Sequence, residues 1–186
     1  MLRLAVFLVA ALLVWPAAAT EAGWALLRDG GHVVLLRHAM TPGGGSGEPA
    51  NFDINDCKTQ RNLSESGRQQ ADRLGVLMSV RSAPIERILS SRYCRCLETA
   101  EYAFDDLKAE VFEALDPLPA DPAAAKKQEE AIVAEVKAFT GSGNLVMITH
   151  KEVIEALTGV SPREGEAVIV SADGDKLHVL GRIIFD

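Results

Sequence analysis

Short runs of apolar, often β-branched residues recur along the chain, and three of them end in polar side chains. The runs and the residues that follow them are Val33–Leu36 before Arg37 and His38, Ile88–Leu89 before Ser90 to Arg95, and Leu145–Ile148 before Thr149 and His150. Each run has the length and composition of a buried strand in a parallel sheet. Because open α/β sheets bind ligands beyond the carboxyl ends of their strands, the pattern predicts a site at that edge.

Helical periodicity fills the intervals between these strands. The predicted helices begin after an N-cap at Ser64, near Cys94, near Ala123 and just after His150. The last segment indicates a hairpin, with strands at Ala167–Val170 and Leu177–Phe185 around an Asp173-Gly174 turn. Strands that alternate with helices predict an α/β fold of three layers, αβα, with a mostly parallel central sheet and a C-terminal hairpin.

The first 19 residues have the anatomy of a secretory signal peptide. A short basic start at Met1–Arg3 precedes the apolar run Leu4–Val14, and Ala17–Ala19 supply small residues before a cleavage point. The apolar run is short for a transmembrane helix, so cleavage is favoured over retention as a membrane anchor. Residues 20–186 are then expected to form one exported domain, periplasmic or secreted, with no stable membrane insertion.

The chain is acidic, with a formal net charge of −7 at pH 7. Nucleic acid is therefore not expected as a partner, because its binding requires a basic face. Against this background, two arginines and two histidines at one sheet edge form a positive cluster that attracts a phosphoryl group. The oligomeric state is left open.

The three cysteines are an odd number for an oxidising compartment. One disulfide is expected, from Cys57 to either Cys94 or Cys96, with one thiol left over. The spacing of Cys94 and Cys96 lacks the second ligand pair of a zinc site, so a structural cross-link is favoured over a metal ligand.

Four segments together resemble the histidine phosphatase superfamily, whose members include the cofactor-dependent phosphoglycerate mutases. The matching segments, in the family's order, are Leu36–Ala39, Asn62–Ala71, Ser90–Ala100, and Thr149-His150 with Ala156–Gly159. An Arg-His pair alone is weak evidence, but four ordered elements are specific. The resemblance implies the three-layer fold of the phosphoglycerate mutases.

The resemblance also implies the roles of the clustered side chains. His38 is the nucleophile and passes through a phosphohistidine, while Arg37, Arg95 and His150 hold the phosphoryl oxygens. Guanidinium groups match phosphate oxygens in pairs, and neighbouring positive charge keeps an imidazole neutral and nucleophilic. Neither a metal nor another cofactor is expected, because the arginines supply the positive charge.

Further positions have two possible interpretations each. Thr41 is a candidate substrate-binding hydroxyl or simply part of the loop, and Arg61 is a candidate substrate-binding charge at the rim or a solvated residue. Arg95 has the family's spacing to Thr99, so Arg92 is interpreted as a surface charge.

The acid that protonates the leaving group is the point where the pattern departs from the family. The family places a carboxylic acid on the segment after the second arginine, but here Pro117 stands at the corresponding position. Asp116 is the candidate catalytic acid, with a loop-capping aspartate as the alternative interpretation. Glu113 and Glu152 are the other candidates.

These residues predict a metal-independent phosphatase that hydrolyses small phosphomonoesters or phosphoramidates through a phosphohistidine on His38. Phosphatase is favoured over mutase because the helix after the proline-rich loop is short. The alternatives are a catalytically weak or silent module that binds phosphate or phosphoesters, and a purely structural envelope protein. Specificity is expected to lie in the irregular segments Thr41–Cys57 and Val111–Ala125, neither of which names a substrate.

Overall fold

The computed structural model describes residues 16–44 and 47–185 and has the predicted α/β fold. The strands in this part of the chain are β1 (Val33–Arg37), β2 (Ile85–Ser90), β3 (Glu110–Val111), β4 (Asn144–Thr149), β5 (Ala167–Asp173) and β6 (Lys176–Ile183). The α-helices are α1 (Pro16–Asp29), α2 (Glu65–Val80), α3 (Cys94–Ala103), α4 (Pro122–Ala138) and α5 (Lys151–Thr158).

The strands form one mixed sheet in the order β3-β2-β4-β1-β5-β6. The pairs β2–β3, β2–β4 and β1–β4 are parallel, whereas β5 runs antiparallel to β1 and β6. Leu36 of β1 and Ser90 of β2 both lie opposite Ile148 of β4. The carboxyl ends of the three predicted strands therefore meet at one edge of the sheet.

Two hydrophobic clusters cover the two faces of this sheet and confirm the three-layer αβα arrangement. Because successive side chains on a strand point to opposite faces, β1 contributes to both clusters. Val34 and Leu36 pack with residues of α1, α2 and α3, whereas Val33 and Leu35 pack with residues of α4 and α5. All four apolar side chains of β1 are buried, which explains the continuous apolar run in the sequence.

The segment around Trp24 forms helix α1, which is not among the helices that the sequence pattern predicts. Trp24 and Leu27 of α1 are buried in the core, but two apolar positions are too few to show helical periodicity. The predicted cleavage point after Ala19 falls within α1, while residues 1–15 of the predicted signal peptide lie outside the described residues. Among the described helices, none is long and apolar enough to cross a membrane.

Gly75 sets how closely α2 and α3 approach each other. A Cβ atom at this position would lie 1.9 Å from the carbonyl oxygen of Ala103. That distance is far inside van der Waals contact, and the obstacle is backbone rather than a flexible side chain.

Gly75→Ala is expected to destabilise the protein by about 1–3 kcal/mol, because the two helices must separate to accept the methyl group. This loss exceeds the gain of up to about 1 kcal/mol from the higher helix propensity of alanine. Urea denaturation measures the change. The neighbouring exposed Val76→Ala serves as the control and is expected to stay within about 0.5 kcal/mol. A Gly75→Ala protein as stable as the unaltered one would contradict the close contact.

Candidate active site

The aligned ends of β1, β2 and β4 deliver the clustered side chains to one cleft of about 510 Å³. His38 follows β1, Ser91 follows β2 and His150 follows β4, and α3 begins one residue before Arg95. The positively charged side chains and histidines that line the cleft are Arg37, His38, Arg61, Arg95, His150 and Lys151. A larger groove of about 810 Å³ between α4, α5 and β6 contains none of these residues.

The His38 imidazole is buried and held in a single tautomer. Its Nδ1 lies 2.9 Å from the carbonyl oxygen of Ala39. Because a carbonyl oxygen only accepts, Nδ1 carries the proton and Nε2 keeps its lone pair. Burial, together with the charges of Arg95, Arg37 and Arg61, lowers the pKa of His38 to about 3 against the opposing effect of the bond to Ala39. His38 is thus a neutral imidazole with a free nucleophilic nitrogen.

The His150 imidazole is oriented by a directed series of hydrogen bonds. Arg95 Nη2 donates to His150 Nδ1 at 3.0 Å, so the proton of the neutral ring is on Nε2. His150 Nε2 donates to Ser91 Oγ at 3.0 Å, and this hydroxyl donates to Asp116 Oδ1 at 2.7 Å. Burial, then the charge of Arg95, places the pKa of His150 well below its ordinary value. The two histidine rings lie 5.6 Å apart, centroid to centroid.

Asp116, the predicted catalytic acid, has both carboxylate oxygens occupied by donors in the structure. Its carboxylate accepts from Ser91 Oγ and from the backbone N–H and Nε of Arg92, at 2.7, 2.9 and 2.8 Å. A second guanidinium nitrogen of Arg92 lies 2.7 Å away. The donors therefore include both a backbone N–H and a guanidinium, as in a charge-assisted ion pair. Asp116 positions His150 through Ser91, and Arg92 is its partner rather than a free surface charge.

Thr41, the predicted substrate-binding hydroxyl, is hydrogen-bonded to a carboxylate in the structure. Its side chain is buried, and its hydroxyl donates to Glu164 Oε1 at 2.8 Å. The same Glu164 oxygen lies 3.6 Å from Arg37 Nη2. Thr41 therefore holds the Glu164 carboxylate beside Arg37. The sequence could not indicate this contact, because Glu164 lies 123 residues after Thr41.

The arginines of the cleft retain unused hydrogen-bond donors. Among the described residues, Arg37 Nε, Arg95 Nε, and Arg61 Nε and Nη1 are buried without a partner. Buried donors are almost always paired in proteins, so these N–H groups mark a place for an acceptor. The structure places Arg61 at the cleft together with Arg37 and Arg95, as an anion-binding site requires.

Glu48 is the cleft residue that the sequence analysis missed. Its Oε1 forms an ion pair with Arg95 Nη1, and its Oε2 accepts the backbone N–H of Arg61 at 3.0 Å. Its side chain is only 15% exposed. One acidic residue in a glycine-rich loop carries no local signal of such a contact. Of the other acid candidates, Glu113 lies outside the cleft beside Arg92, whereas Glu152 lines the cleft from the first turn of α5.

The loop that carries Glu48 is attached to the start of α3. The structure pairs Cys57 with Cys94, one of the two predicted arrangements, and leaves Cys96 as a buried free thiol. Cys94 N–H also donates to Gln60 Oε1 at 2.9 Å. These contacts keep the loop beside Arg95. Burial raises the pKa of the Cys96 thiol to about 12. No group of three or more metal-ligating side chains lies within the part of the chain that the structure describes.

Aromatic contacts form one wall of the cleft. Phe52 stacks on Tyr93 with 5.3 Å between ring centroids, and the edge of Tyr93 meets His150 at 5.0 Å. The Arg95 guanidinium lies 4.7 Å from the centre of the Tyr93 ring. The Tyr93 ring therefore helps to fix both the His150 imidazole and the Arg95 guanidinium, because it packs against each of them.

Residues 33–118 match the sequence profile of the histidine phosphatase superfamily (branch 1), and no curated protein matches the chain. The fold is similar to that of the protein histidine phosphatase SixA complexed with tungstate, at 19% identity, with a TM-score of 0.55 and coverage of 82% of this chain and 96% of that one. Phosphoserine phosphatase from Entamoeba histolytica is also similar, at 14% identity and a TM-score of 0.61, with coverage of 82% of this chain and 96% of that one. A mycobacterial glucosyl-3-phosphoglycerate phosphatase is similar at 18% identity and a TM-score of 0.58, with coverage of 80% of this chain and 96% of that one.

At these identities the solved structures show a shared fold, and the profile match covers the segments that contain His38 and Arg95. The ordered sequence segments, the sheet topology and the profile match agree. The profile match over residues 33–118 and the shared fold together support the histidine phosphatase superfamily, which the sequence segments resemble.

Proposed function

We propose that the protein is a metal-independent phosphatase that hydrolyses small phosphomonoesters or phosphoramidates through a phosphohistidine on His38. One observation carries the proposal. A neutral His38 imidazole, with Nε2 unprotonated, lies in a cleft where three arginines hold unused N–H donors. Phosphoryl transfer requires chiefly positioning and stabilisation of charge, and this arrangement supplies both.

The reaction has two steps. The lone pair of His38 Nε2 attacks phosphorus, and the bond to the leaving group breaks while the leaving atom gains a proton. Water then attacks the phosphohistidine, the P–N bond breaks, and phosphate and neutral His38 are released. The guanidinium N–H groups of Arg37, Arg61 and Arg95 bind the phosphoryl oxygens in both steps. Their charge replaces what a metal ion contributes in other phosphoryl transfers.

The similar solved structures support this class of substrate without identifying one. They include phosphatases for a protein phosphohistidine, for phosphoserine and for glucosyl-3-phosphoglycerate, and two of them contain tungstate or VO3. A small phosphorylated substrate is therefore our proposal for the cleft. A catalytically weak or silent phosphate-binding module is the second candidate, because donors occupy the Asp116 carboxylate and Glu48 occupies Arg95.

Hydrolysis of 4-nitrophenyl phosphate in excess chelator tests the proposal. Activity is expected to persist in chelator and to disappear in His38→Ala, because the nucleophile is lost. His32→Ala is the control, since His32 is a partly buried histidine at the opposite end of β1. After a pulse of labelled substrate and rapid quenching, acid-labile phosphate is expected on the unaltered protein and absent from His38→Ala. Phosphate binding without turnover would favour the silent module.

The neutral state of His38 predicts a pH dependence of stability. Its pKa is about 3 in the fold against an ordinary 6.5, so the unfolded chain binds a proton that the fold does not. This stability is present above about pH 6.5 and is lost as the pH falls towards 3. Between about pH 7.5 and 5, His38→Gln is expected to lose about 2 kcal/mol less unfolding free energy than the unaltered protein. Urea denaturation measures both losses, and equal losses would contradict a neutral His38.

We also propose that the protein is exported and that residues 1–19 are removed. The signal-like sequence and the Cys57–Cys94 disulfide support an oxidising compartment. Cleavage after Ala19 would shorten α1 but keep the buried Trp24 and Leu27. Expression of the full chain in a bacterial host, followed by fractionation and intact-mass measurement, is expected to give a periplasmic protein that begins at Thr20. Recovery from the membrane with residues 1–19 intact would contradict cleavage and favour an anchor.

A further inference from the structure

The cleft still needs a group that gives a proton to the leaving group. Both carboxylate oxygens of Asp116 are occupied by donors from Ser91 and Arg92, so they point away from a leaving group towards these partners. The carboxylates that line the cleft within the described residues are Glu48 and Glu152. A leaving oxygen that departs as a bare alkoxide is a poor leaving group, and its protonation typically contributes about 10²–10⁴-fold to the rate.

Glu48 is the better placed of the two carboxylates. It contacts Arg95 directly through Oε1 and is held by the Arg61 backbone N–H through Oε2. Its side chain is largely shielded from solvent, whereas Glu152 is exposed and its carboxylate has no hydrogen bond or ion pair with any other described residue. The Cys57–Cys94 disulfide and the Gln60 contact attach the loop of Glu48 to α3, which carries Arg95. Glu48 therefore stays beside the phosphoryl-binding donors when its ion pair opens.

We propose that Glu48 is the residue that protonates the leaving group, an inference that rests on the proposed function. In the free protein its carboxylate occupies an Arg95 N–H that a phosphoryl oxygen needs. Substrate binding displaces it, and the displaced carboxylate then lies next to the phosphate dianion. Arg95 and Arg61 then face the negative charge of the phosphate as well as that of Glu48. Two negative groups at close range favour the uptake of one proton from solvent by the Glu48 carboxylate.

The proton balance of the two steps follows from this exchange. His38 Nε2 forms its bond to phosphorus, the P–O bond to the leaving group breaks, and the carboxyl proton of Glu48 passes to that oxygen. Glu48, now a carboxylate, takes a proton from the water that attacks the phosphohistidine. The P–N bond breaks, the products are an alcohol and phosphate, and His38 returns to its neutral form. When phosphate leaves, Glu48 releases its proton to solvent and re-forms the ion pair with Arg95 as a carboxylate.

The dependence of the rate on the leaving group tests this role. Phenyl phosphate and 4-nitrophenyl phosphate have similar shapes, but only the nitrophenolate leaves readily without a proton. The value of kcat/KM, which reports phosphoryl transfer to His38, is measured for both substrates with the unaltered protein, Glu48→Gln and Glu152→Gln. In Glu48→Gln we expect a loss of about 10²-fold or more on phenyl phosphate and of less than about 10-fold on 4-nitrophenyl phosphate.

Glu152→Gln is the matched control, because it removes the other carboxyl group of the same cleft. It is expected to change both substrates by the same factor. The retained hydrolysis of 4-nitrophenyl phosphate shows that Glu48→Gln is folded. A uniform effect of Glu48→Gln on both substrates, or a selective loss in Glu152→Gln instead, would overturn the role of Glu48 alone. Failure of the unaltered protein to hydrolyse 4-nitrophenyl phosphate would overturn the proposed function and this inference together.

Discussion

Burial of positive charge at the end of the sheet is the constraint on which the rest of the cleft depends. Arg37, Arg61 and Arg95 are held where parts of their guanidinium groups have no acceptor among the described residues. An uncompensated buried charge costs several kcal/mol, so nearby carboxylates must offset it. Glu164 does so for Arg37 and Glu48 for Arg95. The unpaired N–H donors favour the binding of an anion, and they lower the stability of the fold while they have no acceptor.

Burial, and then the same positive charge, keeps the two histidines neutral. Each imidazole is buried beside guanidinium groups, which makes a second positive charge unfavourable. Fixed partners then choose which nitrogen carries the proton, a carbonyl oxygen for His38 and Arg95 for His150. Asp116 orients His150 indirectly. It accepts the hydrogen bond that Ser91 Oγ donates, and the Ser91 oxygen is then left to accept from His150 Nε2. Burial beside positive charge therefore keeps both imidazole rings neutral.

The sequence was sufficient for the sheet edge and its histidines, since apolar runs locate strands and parallel strands align their ends. It was insufficient wherever a side chain chose between partners far along the chain. Asp116 pairs with Arg92 and Glu48 pairs with Arg95, and neither pair could be predicted because its two residues are far apart in the sequence. The disulfide shows the same limit. Cys94 and Cys96 point about 200° apart around a helix, so only the helix orientation decides which one meets the loop.

The isolation of Cys96 has a consequence for how the cross-link is made. Its thiol is fully buried beside His150, and its pKa is raised to about 12 by burial, although it lies only two residues from a disulfide. Thiol–disulfide exchange requires a thiolate with access to the sulfur it attacks. In the folded protein Cys96 meets neither condition, so it cannot shuffle the bond. Mispairing is confined to chains that are oxidised before α3 packs on the sheet, which makes correct cross-linking depend on the order of folding and oxidation.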